Sequence, residues 1–300
     1  FLSASIRRDG NSRLGPTNRW QNFWSLGGAW NIYNEDFMRD NSVISNLRIR
    51  GSYGTNATFP SVDFGWRTLT GFTNKYMEQA GGSVISIADE NLNWETNYNT
   101  NIAVEFGFLQ QRITGSVEYF NRDSRDLLQD VPISMVTGFR STLRNVGEIN
   151  NRGVEINVGV DIIRKGDLIW NVGFNATTIK STITKLYRQE GVDAGQDIIW
   201  NDPTGGDARA QFIYREGEST LSFYGYEWAG VDPENGKNVW YVNDESDALA
   251  GDFEFNGRGA TYSYSAANRK IIGSGIPKLY GGITTDLEWK GISLNLNFIY

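Results

Sequence analysis

The sequence contains no cysteine and no histidine among its 300 residues. These absences exclude disulfide bonds, metal sites built on thiolate or imidazole, cysteine nucleophiles and any triad that uses histidine as its base. Carboxylates remain for acid and base chemistry, but with 35 acidic residues many pairs occur at glycosidase-like spacings by chance. We therefore predict that the chain is not an enzyme, with no catalytic residues and no cofactor.

Clustered positive charge and long apolar runs are also lacking. The net charge is −7, so the chain offers no basic face for nucleic acid. No uninterrupted apolar stretch approaches the roughly 18 residues of a membrane-spanning helix, which argues against a helical membrane protein. A transmembrane β-barrel stays possible, because its strands place every second side chain in a polar lumen.

Aromatic residues are abundant, at 13%, as is usual for sheet surfaces and for girdles at membrane interfaces. In residues 97–122, Ile102, Val104 and Phe106 alternate with polar or small residues, and the same alternation resumes after 109–111. This period of two predicts a hairpin. Each arm has about 10 residues, close to the roughly 9 to 11 that cross a bilayer at a tilt.

Two more hairpins of this kind are predicted at 152–178 and 278–300. Long connections at 55–96, 123–150 and 179–276 alternate with the tiny turns, an asymmetry typical of outer-membrane barrels with long extracellular loops. Strands at 1–8, 21–32 and 47–54, with a helical turn expected in 34–46, complete about nine strands. The count becomes about eleven if 219–232 and 238–244 pair within the wall.

The predicted fold is therefore an all-β, antiparallel transmembrane β-barrel segment. The chain starts and stops inside alternating runs, so we expect it to be a section of a longer barrel. Four aromatic residues near the short turns on the apolar face predict a lipid-interface girdle: Phe106, Phe108, Trp170 and Trp289. The opposite face is polar and suits a lumen, with the carboxylates Glu105, Glu118, Glu155, Asp161, Asp286 and Glu288. A soluble β-sandwich would bury the same apolar stripe, but the strand length, the sorted loops and the girdle favour lipid.

Six stretches together resemble one family, the SusC-like TonB-dependent transporters of the outer membrane of Bacteroidetes. They include "SASIRRDGNSRLGPTNRWQNFWSLGGAWNI", "NVGEINNRGVEINVGV" and "IIGSGIPKLYGGITTDLEWKGISLNLNFIY". The resemblance runs nearly end to end, in the same order and spacing. It implies that residues 1–300 belong to the middle and late part of a barrel of roughly 22 strands. The plug domain, the TonB box and the final strands would lie outside these residues.

The same resemblance implies the function and the partners. We expect TonB-dependent uptake of oligosaccharides or oligopeptides, energised by the TonB–ExbB–ExbD complex and delivered by a SusD-like lipoprotein. One alternative is a TonB-dependent receptor for siderophores or cobalamin. Another, from a different class, is a soluble all-β module that binds or hydrolyses glycans.

Aromatic residues in the long loops are candidate contacts for cargo or for the SusD-like lid, because aromatic faces stack on sugar rings and anchor interfaces. They are Trp66, Tyr76, Trp200, Tyr214, Phe223, Tyr224, Tyr226, Trp228, Trp240 and Tyr241. The competing interpretation is that each packs its own loop.

No metal site is expected. Many relatives carry an acidic "D-x-N-G-D-G" loop suited to calcium, but here Arg258 and Ala260 occupy the corresponding positions. Asp232, Glu234 and Asn235 in "VDPENGKNVW" could suggest a cation site. Their order, with Pro before Asn-Gly, predicts a turn instead.

Overall fold

The computed structural model describes residues 1–38, 40–189, 191–200 and 210–300, apart from the side chain of Tyr76. The chain divides into two compact units, Phe1–Tyr187 with Pro277–Tyr300, and Arg188–Ile276. No helix in the described ranges is long and apolar enough to span a membrane. The helices found there are short 3-10 turns at Ile32–Asn34, Asp36–Met38, Met135–Thr137 and Tyr264–Ala266.

Strands dominate both units. The first unit begins with β1 (Leu2–Gly10), β2 (Trp20–Asn31), β3 (Ile44–Thr58), β4 (Leu69–Tyr76), β5 (Gln79–Ser86), β6 (Glu95–Phe108), β7 (Ile113–Pro132), β8 (Ser141–Lys165) and β9 (Leu168–Lys185). The second unit contains β10 (Ile198–Trp200), β11 (Gln211–Tyr214), β12 (Ser222–Gly225), β13 (Trp228–Val231), β14 (Asn238–Tyr241), β15 (Phe253–Phe255), β16 (Arg258–Thr261) and β17 (Lys270–Ser274). The chain then returns to the first unit with β18 (Tyr280–Trp289) and β19 (Ile292–Ile299).

Nine strands of the first unit form one antiparallel sheet, here called the wall sheet. Its order is β1-β2-β3-β6-β7-β8-β9-β18-β19, and β4 pairs only with β5 in a separate hairpin. The wall sheet is open within the described residues, because β1 and β19 do not pair with each other. The predicted barrel segment and the count of nine are confirmed. The option of eleven wall strands is wrong, because β12, β13 and β14 pair in small sheets of the second unit.

The register keeps the predicted alternation across the whole wall sheet. Val104 lies between Ile49 and Val117, and Ala103 lies between Arg50 and Glu118. Because alternate residues of a strand point to opposite faces, these ladders separate an apolar face from a polar one.

Short turns close the hairpins as their residue types require. Lys290 and Gly291 have φ values of 49° and 82°, the left-handed pair of a two-residue turn matched to the twist of its strands. Gly166 and Asp167 form the corresponding turn between β8 and β9. The expected helical turn between β2 and β3 is confirmed by the two 3-10 turns at residues 32–38.

The connection expected at 123–150 is shorter than predicted. Strand β7 continues to Pro132 and β8 starts at Ser141, so residues 133–140 alone join them. A bulge between Ser124 and Leu127, with Asp126 at φ 57°, shifts the register and breaks the alternation there. At 20 and 25 residues, β7 and β8 exceed the roughly 9 to 11 that a bilayer requires.

A compact core lies among the long loops of the first unit. Leu14, Phe23, Leu92 and Trp94 are buried against one another. Asn18 ties the loops together, since its side-chain amide donates to the carbonyl of Asn91 and its carbonyl accepts from Trp94 Nε1 at 3.1 Å. We call these four buried residues the loop core.

The second unit is built from two four-stranded sheets. One has the order β10-β11-β12-β17 and the other the order β13-β14-β16-β15. Ile213 is buried in the first sheet, and Val239 and Ala260 are buried in the second. The predicted connection at 179–276 therefore starts with the end of β9 and then forms ordered sheets of its own.

Candidate functional site

One face of the wall sheet presents an exposed apolar stripe. Its exposed members extend from β1 to β19 and include Leu2, Ile6, Leu26, Ile49, Ile102, Val117, Tyr119, Phe174, Ile283, Leu287, Leu294, Leu296 and Phe298. Soluble monomers rarely expose a contiguous apolar patch of this extent. The stripe has the chemistry of a lipid-facing surface rather than of a sandwich core.

The four residues predicted as a girdle lie on this apolar face. Phe108 ends β6, Trp170 is the third residue of β9, and Trp289 ends β18, so each is next to a short turn. The rings of Phe106 and Phe108 lie 5.3 Å apart. Trp170 Nε1 donates to Thr285 Oγ1 at 2.8 Å, and the indole of Trp289 is exposed. This placement is compatible with an aromatic girdle at the membrane interface. The girdle itself stays a prediction.

The polar face holds a network of charged residues. Arg50 Nε donates to Glu105 Oε1 at 2.9 Å, and its Nη2 pairs with Glu118 on the next strand. Arg48 contacts the other oxygen of Glu105 at 3.6 Å. Glu105 and Glu118, two of the predicted lumen carboxylates, are therefore held by one guanidinium. We call Arg50, Glu105 and Glu118 the arginine hub.

Trp66 packs within its loop. It lies against the loop core, with the Arg67 guanidinium 4.3 Å from its ring centroid. Its Nε1 is buried and has no hydrogen-bond partner among the described residues. The loop-packing interpretation therefore fits this residue better than contact with cargo. The side chain of Tyr76, the other candidate of this loop, lies outside what the structure describes.

In the second unit, three strands align an aromatic ladder. Trp200 pairs with Phe212, which pairs with Phe223, and their ring centroids are 6.4 and 5.2 Å apart. Tyr214 lies two residues from Phe212 and shares its face. We call Trp200, Phe212, Tyr214 and Phe223 the aromatic platform. Trp200 is 62% exposed, so the platform is open at that end. Tyr224, the remaining candidate here, pairs with Gln211 and belongs to the opposite face.

Other candidates meet around Tyr264. The Tyr264 ring lies 5.4 Å from that of Tyr226 and 6.3 Å from that of Trp240. Trp228 pairs directly with Trp240 and is 56% exposed, with its Nε1 donating to Asn238 at 3.2 Å. We call Tyr226, Trp228, Trp240 and Tyr264 the second aromatic group. In this group the indole of Trp228 is exposed, and the rings of Tyr226 and Trp240 pack against that of Tyr264.

Tyr241 belongs to an ion network instead. The Arg258 guanidinium lies 3.7 Å from its ring centroid and forms two hydrogen bonds to Glu227, at 2.8 and 3.2 Å. Lys270 Nζ also contacts Glu227, at 2.5 Å. The hydrogen bond from Arg258, together with Lys270, holds the pKa of Glu227 below its ordinary value. Arg258 thus joins strands at a position where the family resemblance led us to expect a carboxylate, and no described group of three acidic residues could hold a metal ion.

The segment around Asp232 forms the predicted turn. Asp232 accepts hydrogen bonds from the backbone N–H of Glu234 at 2.8 Å and from the side-chain amide of Asn235 at 2.7 Å. The Tyr262 hydroxyl donates to the same carboxylate at 2.6 Å, which lowers the pKa of Asp232 and raises that of Tyr262. These hydrogen bonds occupy the carboxylate oxygens of Asp232, which a cation would need as ligands.

Phe212 and Tyr264, the residues around which the rings assemble, were not predicted from the sequence. Phe212 sits in a strand of only four residues, too short for its alternation to be recognised. Tyr264 lies in a 3-10 turn of three residues. An aromatic residue every few positions in 212–226 was the available signal.

Comparison with known proteins agrees with this architecture. A family model for the β-barrel of TonB dependent receptor-like proteins matches residues 1–298. TonB-dependent receptor P3 of Formosa agariphila is 32% identical over an alignment 309 residues long, gaps included, which covers 99% of this chain and 30% of that protein. TonB-dependent receptor SusC of Bacteroides thetaiotaomicron is 32% identical over an alignment 251 residues long, gaps included, which covers 80% of this chain and 24% of that protein.

Solved structures give the same result. The RagAB peptide transporter aligns with a TM-score of 0.81 and 29% identity, over 99% of this chain and 31% of that one. The RagAB peptide importer in its open-open state gives 0.82 and 30%, over 100% of this chain and 30% of that one. The chain thus spans less than a third of these relatives.

These relatives are named as receptors and transporters, in agreement with the prediction that the chain is not an enzyme. The resemblance to SusC-like transporters is confirmed, with SusC itself among the relatives. The antiparallel wall sheet and the match over residues 1–298 lead to one conclusion: the chain belongs to the TonB dependent receptor-like β-barrel family.

Proposed function

We propose that this chain is part of the wall of an outer-membrane importer driven by TonB. The observation that carries the proposal is the wall sheet, with an exposed apolar stripe on one face and a polar face opposite, in a chain of this receptor family. A sheet with two such faces separates lipid from a water-filled or plugged lumen.

In this function the apolar stripe faces outer-membrane lipid, and Phe106, Phe108, Trp170 and Trp289 lie at one interface. The polar face lines the path of the cargo beside a plug domain. The TonB–ExbB–ExbD complex supplies force to the plug, and the path opens without any change to a bond in the cargo.

The second unit serves as a receiving surface on the extracellular side. The aromatic platform and Trp228 of the second aromatic group are the exposed aromatic surfaces for cargo or for a SusD-like lipoprotein lid. Oligosaccharides or oligopeptides are the cargo classes, supported by relatives named SusC and RagAB peptide importer. In this proposal Tyr224 and Tyr241 are packing residues and do not contact cargo or the lid.

Purification of the full-length protein from native outer membranes in detergent, followed by mass spectrometry of everything that comes with it, tests this proposal. We expect a SusD-like lipoprotein and a bound oligosaccharide or oligopeptide. A bound siderophore or cobalamin would move the protein to the other receptor class. Recovery in the soluble fraction without detergent would refute the membrane assignment.

A further inference from the structure

The polar face of the wall sheet contains a groove of about 510 Å³ over β3, β6, β7, β8 and β9. We call it the wall groove. Its lining includes Asn99, Asn101, Phe120, Arg122, Asn151 and Glu155. Along the strands, the wall groove lies nearer to the long loops than the arginine hub does. Cargo that entered from the side of the long loops would therefore reach the groove before the hub.

Several hydrogen-bonding groups in the wall groove are not paired by the described residues of this chain. Asn101, Asn151 and Glu155 are half-buried, yet their side chains have no hydrogen-bond or ion-pair partner among the described residues. Elsewhere on the same face such groups are paired: Ser124 donates to Asn97 at 2.6 Å, and Glu105 is held in the arginine hub. Open donors and acceptors of this kind suit a polar ligand that replaces water.

Phe120 gives the wall groove an apolar floor. It pairs with Asn101 on one side and Gly153 on the other. A Cβ atom added to Gly153 would lie 2.7 Å from Cζ of Phe120, so the ring rests directly on the glycine. An aromatic ring surrounded by amides is the usual chemistry of a sugar-binding surface, since the ring takes the C–H face and the amides take the hydroxyls.

The charges around the wall groove favour a neutral ligand. Arg122 Nε donates to Asn99 Oδ1 at 2.9 Å, which fixes the guanidinium at the rim, and no described carboxylate pairs with it. Its charge offsets that of Glu155, and the other lining carboxylate, Glu118, is paired with Arg50, so the groove does not select for either sign.

An extended peptide fits less well. Peptides commonly bind by adding a strand to a sheet edge, but β3, β6, β7, β8 and β9 all have neighbours on both sides. The groove therefore offers side-chain amides and one ring, with no free strand edge.

We propose that the wall groove is a subsite for one neutral pyranose unit of an oligosaccharide cargo, with Phe120 as the stacking residue and Asn99, Asn101 and Asn151 as hydroxyl partners. This inference rests on the proposed import function and narrows its cargo to neutral glycans.

The test is calorimetric titration of the full-length protein in detergent with maltohexaose, cellohexaose and mannohexaose. We expect the wild type to bind at least one of them. Phe120→Leu and Asn101→Ala should each weaken that binding about threefold to tenfold, the worth of one net polar or stacking contact. Phe174→Leu, the same change on the exposed apolar face, is the matched control and should bind like the wild type. Asn101→Ala removes a half-buried side chain with no described partner, so a folding defect is not expected from it.

Two results would overturn the inference: no binding of any of the three sugars, or unchanged affinity in both groove variants. Uptake of a labelled hexapeptide mixture by native cells separates this failure from that of the proposed function. A protein that imports peptides but ignores the sugars remains an importer without a sugar subsite. A protein that is absent from the outer membrane fails the proposed function itself.

Discussion

The ion network of the second unit allows a quantitative prediction. In Glu227→Gln, the Arg258 guanidinium loses its charged partner and Lys270 loses its contact, while the volume of the side chain is kept. Hydrogen bonds to charged groups contribute about 1.5 to 3 kcal/mol each. The three side chains are 26 to 41% exposed, and surface ion pairs contribute only about 0 to 1 kcal/mol. We therefore expect a loss of about 1 to 2 kcal/mol in local stability.

Hydrogen exchange measured by mass spectrometry on the full-length protein reads this loss. A loss of about 1 to 2 kcal/mol corresponds to exchange that is about 5 to 30 times faster. The acceleration should appear in peptides from β13, β14 and β16, the sheet that Glu227 and Arg258 join. Glu254→Gln is the matched control, because Glu254 is exposed in β15 of the same sheet and has no described partner. Equal exchange in the two variants would refute the reasoning.

The same variant has a defined pH dependence. The folded pKa of Glu227 lies below its ordinary value of 4.5, so its contribution is complete above about pH 4.5 and is lost as the pH falls through the folded value. The difference in exchange between wild type and Glu227→Gln should therefore be full at pH 7 and shrink as the pH drops below 4.5. A difference that grew on acidification would contradict the assigned sign.

Three further predictions concern other parts of the chain. Val117→Lys on the apolar face should reduce the amount of assembled receptor in outer membranes, because a charge facing the centre of the lipid layer costs about 2 to 4 kcal/mol. The neighbouring Ser116→Lys on the polar face should assemble normally. Heat-modifiable gel mobility measures assembly in both variants. Arg50→Met should destabilise the wall sheet by about 1 to 3 kcal/mol in thermal unfolding, because it leaves Glu118 without its cation and Glu105 with Arg48 alone. An unchanged melting temperature would mean that water already screens these carboxylates. Trp200→Ala should weaken the binding of cargo or lipoprotein at least fivefold and leave the melting temperature unchanged. Trp66→Ala should lower the melting temperature and leave binding unchanged. The reverse pattern would make Trp66 the binding residue and Trp200 the packing residue.

Much of the wall sheet is predictable from the alternation of residue types. Ile102, Val104 and Phe106 lie on one face with Val117 and Tyr119, because period two fixes the face and a short turn fixes the register. The prediction failed where backbone geometry interrupts the pattern. The bulge at Asp126 shifts the faces by an extra residue, so residues 123–132 of β7 and 141–150 of β8 looked like a loop in the sequence.

The candidate site was less predictable because its residues come from separate segments. Trp200, Phe212 and Phe223 come from three different strands and meet only through the pairing of these very short strands. Trp66 was named on its residue type alone, and only the loop core reveals its packing role. The wall groove depends on which amides are left without partners, and no sequence pattern carries that information.

The most direct test of the account is the sidedness of the wall sheet. Single cysteines can be placed at each of residues 113–122 of β7, in a full-length receptor whose cysteines outside these 300 residues have been replaced, and spin-labelled in outer membranes. The account predicts collisions with lipid-soluble oxygen at the odd positions, from Ile113 to Asn121, and collisions with a water-soluble nickel reagent at the even ones. Uniform access of the nickel reagent to both sets, or oxygen access at the even positions, would contradict the claim that this sheet is a membrane wall.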